Sequence, residues 1–208
     1  WELNRQFVRH LENRQAQDND LYLGDCGRGW LIFEAPEERA TSHHLTGLLS
    51  SSIGRLADVM DDHHLLSIGN PGGIRETLIL KHLTRSNLRE YICLDVNETG
   101  LEVIADLTEK LNIQALYVVA MLGHLRQVRK FCSGPIILAM LGNHFCSYDP
   151  TALLPFINAV MTDQDLFLFD CALLADEQQE PQNSPPSRLD KALYIPLLAN
   201  KGIRTQDY

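Results

Sequence analysis

The sequence predicts a doubly wound α/β fold on a mostly parallel sheet, preceded by a helical and hairpin extension. Three observations carry that prediction. Five apolar runs, at residues 64–69, 90–96, 114–121, 135–141 and 165–171, are continuous rather than alternating, as in strands buried on both faces. Stretches of helical periodicity separate them, and two of these stretches open on recognisable start signals. Five such βα units in succession specify one layered sheet with helices on its faces.

Residues 1–60 form the extension. Residues 2–12 carry Leu3, Phe7, Val8 and Leu11 on one helical face, and "DLYLGDCGRGWLIFEAP", residues 20–36, reads as two short strands around a Gly-containing turn. A long amphipathic helix is expected over residues 38–60, with Leu45, Leu48, Leu49, Ile53, Leu56 and Met60 at helical spacing. Ser50, Ser51 and Ser52 fall inside it, on a solvated face, without the strained turn that a hydrolase nucleophile needs.

The second unit spans residues 61–208. Its helices are expected at residues 74–83, at 99–111 with Thr99-x-x-Glu102 as a capping box, at 122–131, and at 151–160 with Asp149 as N-cap and Pro150 at the first helical position. Residues 175–188, "ADEQQEPQNSPPSR", are polar and Pro-rich and read as a loop or linker. The tail that follows is expected to be helical in part. It supplies no convincing strand pair, so the sheet looks incomplete on that side, and an incomplete edge favours pairing with a second copy.

Bulk properties narrow the function. With 208 residues and a formal charge of −9, the chain can bury a sizeable core and offers no basic run for phosphates, which argues against a nucleic-acid partner. Five scattered cysteines without C-x-x-C spacing read as reduced thiols of a cytoplasmic protein. No apolar stretch reaches the roughly 18 residues that span a bilayer, and no targeting segment is visible. The chain opens on Trp1 rather than Met, which fits a piece of a longer product. The adjacent pairs His43-His44 and His63-His64 are poor chelates, and no metal is expected even with Asp61 and Asp62 beside the second pair. Arg126, Arg129 and Lys130 read as a surface patch on one helix.

In open α/β sheets the ligand crevice lies at the carboxyl ends of the strands. The first strand there runs into Gly69-Asn70-Pro71-Gly72-Gly73. This is either a plain tight turn or a place where a ligand meets the backbone closely. About 20 residues on, Asp95 ends the second strand, where a carboxylate either accepts both hydroxyl hydrogens of a ribose or caps a helix. The glycine spacing is not the G-x-G-x-x-G of a dinucleotide site, and Pro71 lacks an N–H, so a nicotinamide-dependent oxidoreductase is disfavoured. S-adenosylmethionine, which needs a ribose acceptor but no anion cradle, is the better match.

The stretch from Pro135 to Glu177 holds Gly142-Asn143-His144-Phe145, Asp149-Pro150 and a strand closing in Asp170. It resembles the histidine-specific S-adenosylmethionine-dependent methyltransferases of ergothioneine biosynthesis and their relatives, over about half the chain. The resemblance implies a class I methyltransferase fold, Rossmann-like, and a small-molecule acceptor, with an amino group of an amino-acid-like compound as one form of it. Gly69, Asn70, Gly72 and Gly73 would then serve the cofactor's methionine side, Asp95 its ribose, and Ala120 and Met121 its adenine, with Gly142 also at the cofactor. Asn143, His144 and Tyr148 would face the methyl group. The chain departs from the family in lacking Gly-x-Gly at the first turn and in carrying Ala120-Met121 where an acidic and an aromatic residue are usual. His144 reads either as a base or as a partly buried side chain bonded to a loop carbonyl. A catalytically inactive scaffold that binds or dimerises is the alternative to an enzyme.

Overall fold

The computed structural model describes residues 47, 49–54, 62–69, 74–83, 88–142 and 144–170. Five strands form one all-parallel sheet: β1 (His64–Ile68), β2 (Tyr91–Asp95), β3 (Ala115–Val119), β4 (Ile136–Met140) and β5 (Leu166–Phe169). Their order is β3-β2-β1-β4-β5, so the winding direction reverses between β1 and β4. The doubly wound parallel sheet expected from the continuous apolar runs is the one observed. Every residue of β1, β2 and β4 is buried, whereas the outer strands β3 and β5 are half-buried and end on exposed residues.

Helix α1 (Ile74–Leu83) follows β1, α2 (Glu98–Lys110) follows β2, and both cover one face. Ile79, Leu80 and Leu83 of α1 and Leu101 and Ile104 of α2 pack there against Leu65, Tyr91, Cys93, Ile137 and Ala139. Residues 49–54 are helical and add Ile53 to this cluster, with Ser50 and Ser51 exposed; the greater part of the helix expected over residues 38–60 lies outside the described residues. The opposite face is covered by residues 122–131 and by α4 (Pro150–Asn158), through Leu125, Val128, Leu153 and Ile157 against Leu66, Ile68, Ile92, Leu94, Leu138 and Met140. Alternation along each strand thus divides one apolar run between two cores.

The local signals were partly different from those expected. Asp149 does cap α4, accepting from the Thr151 N–H at 2.9 Å, with Pro150 in the first turn. At α2 the cap is Asn97, not Thr99: its side chain accepts from Gly100 N–H at 3.2 Å, and Thr99 lies inside the helix. Residues 122–131 are not one helix but a short α3 (Leu125–Val128) between the 3₁₀ turns Leu122–His124 and Arg129–Phe131. Arg129 is not a surface residue either. It reaches Asp165 at 3.2 Å, and that carboxylate also accepts from the Ile136 and Thr162 N–H groups, both at 2.7 Å.

The extension before residue 47, the polar loop at 175–188 and the tail lie outside the described residues. Cys93 and Cys132 are free and buried. Among the described residues no helix is long and apolar enough to cross a membrane.

Candidate functional site

The carboxyl ends of β1 to β4 converge on a cavity of about 30 Å³ at the reversal of strand order. Ile68 and Gly69 line it from β1, Leu94, Asp95 and Val96 from β2, Ala120, Met121 and Leu122 from β3, and His144 and Tyr148 from the segment after β4. Six of the residues singled out in the sequence therefore meet in one place: Gly69, Asp95, Ala120, Met121, His144 and Tyr148.

Gly69 has φ +72° and donates its N–H to the Leu94 carbonyl at 3.1 Å. That backbone conformation is strained for any residue with a Cβ. The space beside it is also taken, since a methyl group on Gly69 would overlap the His144 ring. The close approach that this glycine permits is, in this structure, the approach of an imidazole. Gly142, at φ +77°, is likewise left-handed and leads the chain from β4 towards the 3₁₀ turn His144–Ser147.

His144 is half-buried, and the desolvation of its ring pushes its pKa down to about 4. Its Nε2 lies 3.2 Å from the Tyr148 hydroxyl, and the two rings meet edge to face at 5.2 Å. In this conformation its partner is a phenol rather than the loop carbonyl expected of a structural His. The imidazole is neutral across the ordinary pH range, with a lone pair to offer.

Asp95 ends β2 at 7% exposure. Burial raises its pKa to about 6, opposed by the N–H groups of Asn97 and Val96. Its Oδ1 accepts from Asn97 N–H at 2.7 Å, so the side chain shapes the turn into α2 and lines the cavity at the same time. The Ala120 N–H donates to the Asp95 carbonyl at 3.0 Å and ties the end of β3 to that of β2. Met121 is 42% exposed at the rim.

Asn70, Gly72, Gly73 and Asn143 lie outside the described residues. Elsewhere, His63 bonds the Gln164 carbonyl at 3.3 Å, and His64 lies 3.5 Å from Glu90. Among the described residues no three His, Cys, Asp or Glu side chains come together as metal ligands.

Two features beside the cavity were missed in the sequence. Glu76, in the first turn of α1, is fully buried and accepts a hydrogen bond from the Tyr91 hydroxyl, with Ser67 beside it; burial raises its pKa to about 7. The signal was present, because Glu76 sits on the same stripe as Ile79, Leu80 and Leu83, at helical spacing, and periodicity alone aims it at the core. Arg75 meets Asp170 at 2.9 Å, joining α1 to the end of β5. A second, larger cavity of about 380 Å³ adjoins the first, sharing Met121, Leu122 and Tyr148 and extending between Gly123 and the start of α4.

No protein-family model matches the chain, and no curated protein matches it. Among solved structures it is similar to that of M. capricolum TrmK in complex with the natural cofactor product S-adenosyl-homocysteine, at 12% identity and a TM-score of 0.38. The match covers 56% of this chain and 49% of the other, so the chain spans about half the length of that protein.

Proposed function

We propose that the chain binds S-adenosylmethionine where β1 to β4 end and transfers its methyl group to a small molecule, at an amino group of an amino-acid-like acceptor. The observation that carries this reading is the buried Asp95 carboxylate, which lines a cavity together with Gly69 at the reversal of strand order. A carboxylate there suits the two hydroxyls of a ribose. Ala120 and Met121 would meet the adenine, and Gly69 with Asn70, Gly72, Gly73 and Gly142 the methionine portion. His144 must turn off Gly69 for this fit, since its ring fills the space over that residue.

When bound, the cofactor supplies a methyl group on a sulfonium, whose carbon–sulfur bond breaks with the electron pair left on sulfur as the acceptor nitrogen forms its bond to carbon. The chain's own part is to orient the acceptor and take its proton. His144 and Tyr148, with Asn143, are the groups assigned to that end of the site. Rotation of His144 out of burial returns its imidazole toward the ordinary value near 6.5, where it holds a proton and passes it to solvent. Buried, free Cys93 and Cys132 support a reducing compartment, the cytoplasm.

A second reading, a methyltransferase-like scaffold that only binds or pairs with another copy, is favoured by the small volume left under His144 and by the absence of an acidic group at Ala120-Met121. Titration calorimetry with S-adenosylhomocysteine, on the full chain and on Asp95→Ala, separates the two. Micromolar binding that disappears in the variant is expected. An unresponsive chain would favour the scaffold, and binding of NADH in its place would make the site a nicotinamide site.

A further inference from the structure

We infer that the larger cavity is a binding site for a small apolar amine, with its hydrocarbon body between Leu122, Leu153 and Phe156 and its ammonium group against Asp149 and the Tyr148 ring. Its role as the acceptor site rests on the methyl-transfer reading. The cavity is an open groove of about 380 Å³, within the range of small-molecule sites.

Its walls decide the chemistry of the occupant. Met121, Leu122, Leu153 and Phe156 are apolar, and Asp149 is the only charged side chain among the described residues that line it. Asp149 caps α4 through Thr151, whose N–H and hydroxyl both donate to it, and these bonds hold its pKa below the usual carboxylate range. The Ala152 and Leu153 N–H groups are satisfied by the Asp149 carbonyl, at 3.1 and 2.9 Å. The helix start therefore presents a fixed negative charge with no donor left over for an anion among these groups. A carboxylate at an apolar wall with two aromatic rings, Tyr148 and Phe156, complements a cation that carries a hydrocarbon body.

Continuity fixes its place. Tyr148, Met121 and Leu122 line both cavities, so an amine beside Tyr148 lies next to the cavity assigned to the cofactor.

The test is calorimetric titration of the full chain with 2-phenylethylamine near neutral pH, with 2-phenylethanol as its uncharged counterpart, with and without S-adenosylhomocysteine. Two variants accompany it. Asp149→Asn keeps an N-cap and removes the charge, and Ala152→Leu fills the cavity from an exposed helix position. The amine is expected to bind about fivefold more weakly to Asp149→Asn and about tenfold more weakly to Ala152→Leu. Equal binding of alcohol and amine, or an amine affinity indifferent to Ala152→Leu, would overturn the assignment. Amine binding sensitive to Ala152→Leu in a chain that ignores S-adenosylhomocysteine would uphold the cavity and sink methyl transfer. Binding of S-adenosylhomocysteine without any binding of the amine would sink the cavity assignment alone.

Discussion

The two ends of the parallel sheet treat their polar groups in opposite ways. At the amino end, charges are matched. Asp62 takes two bonds from Arg89, one of them 2.7 Å, and Asp165 gathers Arg129 and two backbone N–H groups. Burial pushes Asp165 up, but those bonds outweigh it and leave its pKa below the usual value. At the carboxyl end Arg75 is matched by Asp170 at 2.9 Å, but among the described residues three desolvated groups there have no ion-pair partner: Asp95 is raised to about 6, Glu76 to about 7, and His144 lowered to about 4. The matched end is built for stability. The unmatched end holds desolvated groups at a cost to stability, which is the arrangement a ligand can exploit.

The largest effect is expected from Asp165→Ala, which strands a half-buried guanidinium and two N–H donors. A loss of about 4 kcal/mol in urea unfolding should follow, with ligand binding at the far end unchanged in the folded fraction. A small loss would mean that the contrast between the two ends is not energetic.

Glu76→Gln probes the unmatched end. Because the folded pKa of Glu76 lies above its unfolded value of 4.5, the folded state binds the extra proton between pH 4.5 and about 7. Stability from this group is therefore complete below that window and falls as pH rises through it, by about 3 kcal/mol. Urea midpoints at several pH values should lose this fall in the variant; His144, with its folded pKa lowered, contributes the opposite slope between about pH 4 and 6.5. An unchanged profile would remove Glu76 from the comparison.

Gly69→Ala should cost roughly 2 kcal/mol, from its left-handed backbone and from overlap with His144. In a His144→Ala background the overlap vanishes, and about 1 kcal/mol of backbone strain should remain. Equal losses in both backgrounds would show that the ring yields freely, as a displaceable occupant of the cofactor space would.

The smallest change in stability belongs to Asp95→Asn. Asn keeps an acceptor for the Asn97 N–H and removes a desolvated charge, so unfolding should shift by less than about 1 kcal/mol. Binding of S-adenosylhomocysteine should nevertheless weaken, a split opposite to that of Asp165→Ala. Wild-type affinity in the variant would mean that Asp95 only shapes the turn into α2.

Much of this was legible in the residue order. Continuous apolar runs such as "ILAM" in β4 and "YICL" in β2 specify strands covered on both faces, and Asp149-Pro150 marks a helix start through chemistry local to two residues. The ends of β1 and β2 placed Gly69 and Asp95 at the crevice because a parallel sheet puts all such ends on one side. Local signals failed where a neighbour competed: Asn97 took the cap from Thr99, and Arg129 found Asp165, 36 residues away.

By itself, then, the sequence determined the layers, the strands and the side of the sheet on which a ligand would lie, since these follow from periodicity and connection rules. Tertiary structure alone decided that the His144 ring covers Gly69, that Glu76 is held against Tyr91, and that two cavities share Tyr148. Each of these depends on contacts between segments distant along the chain or on a turn conformation, and on desolvation set by everything packed around them. Periodicity carries no record of such contacts, and burial, which sets the protonation of His144 and Asp95, exists only once the chain has closed around them.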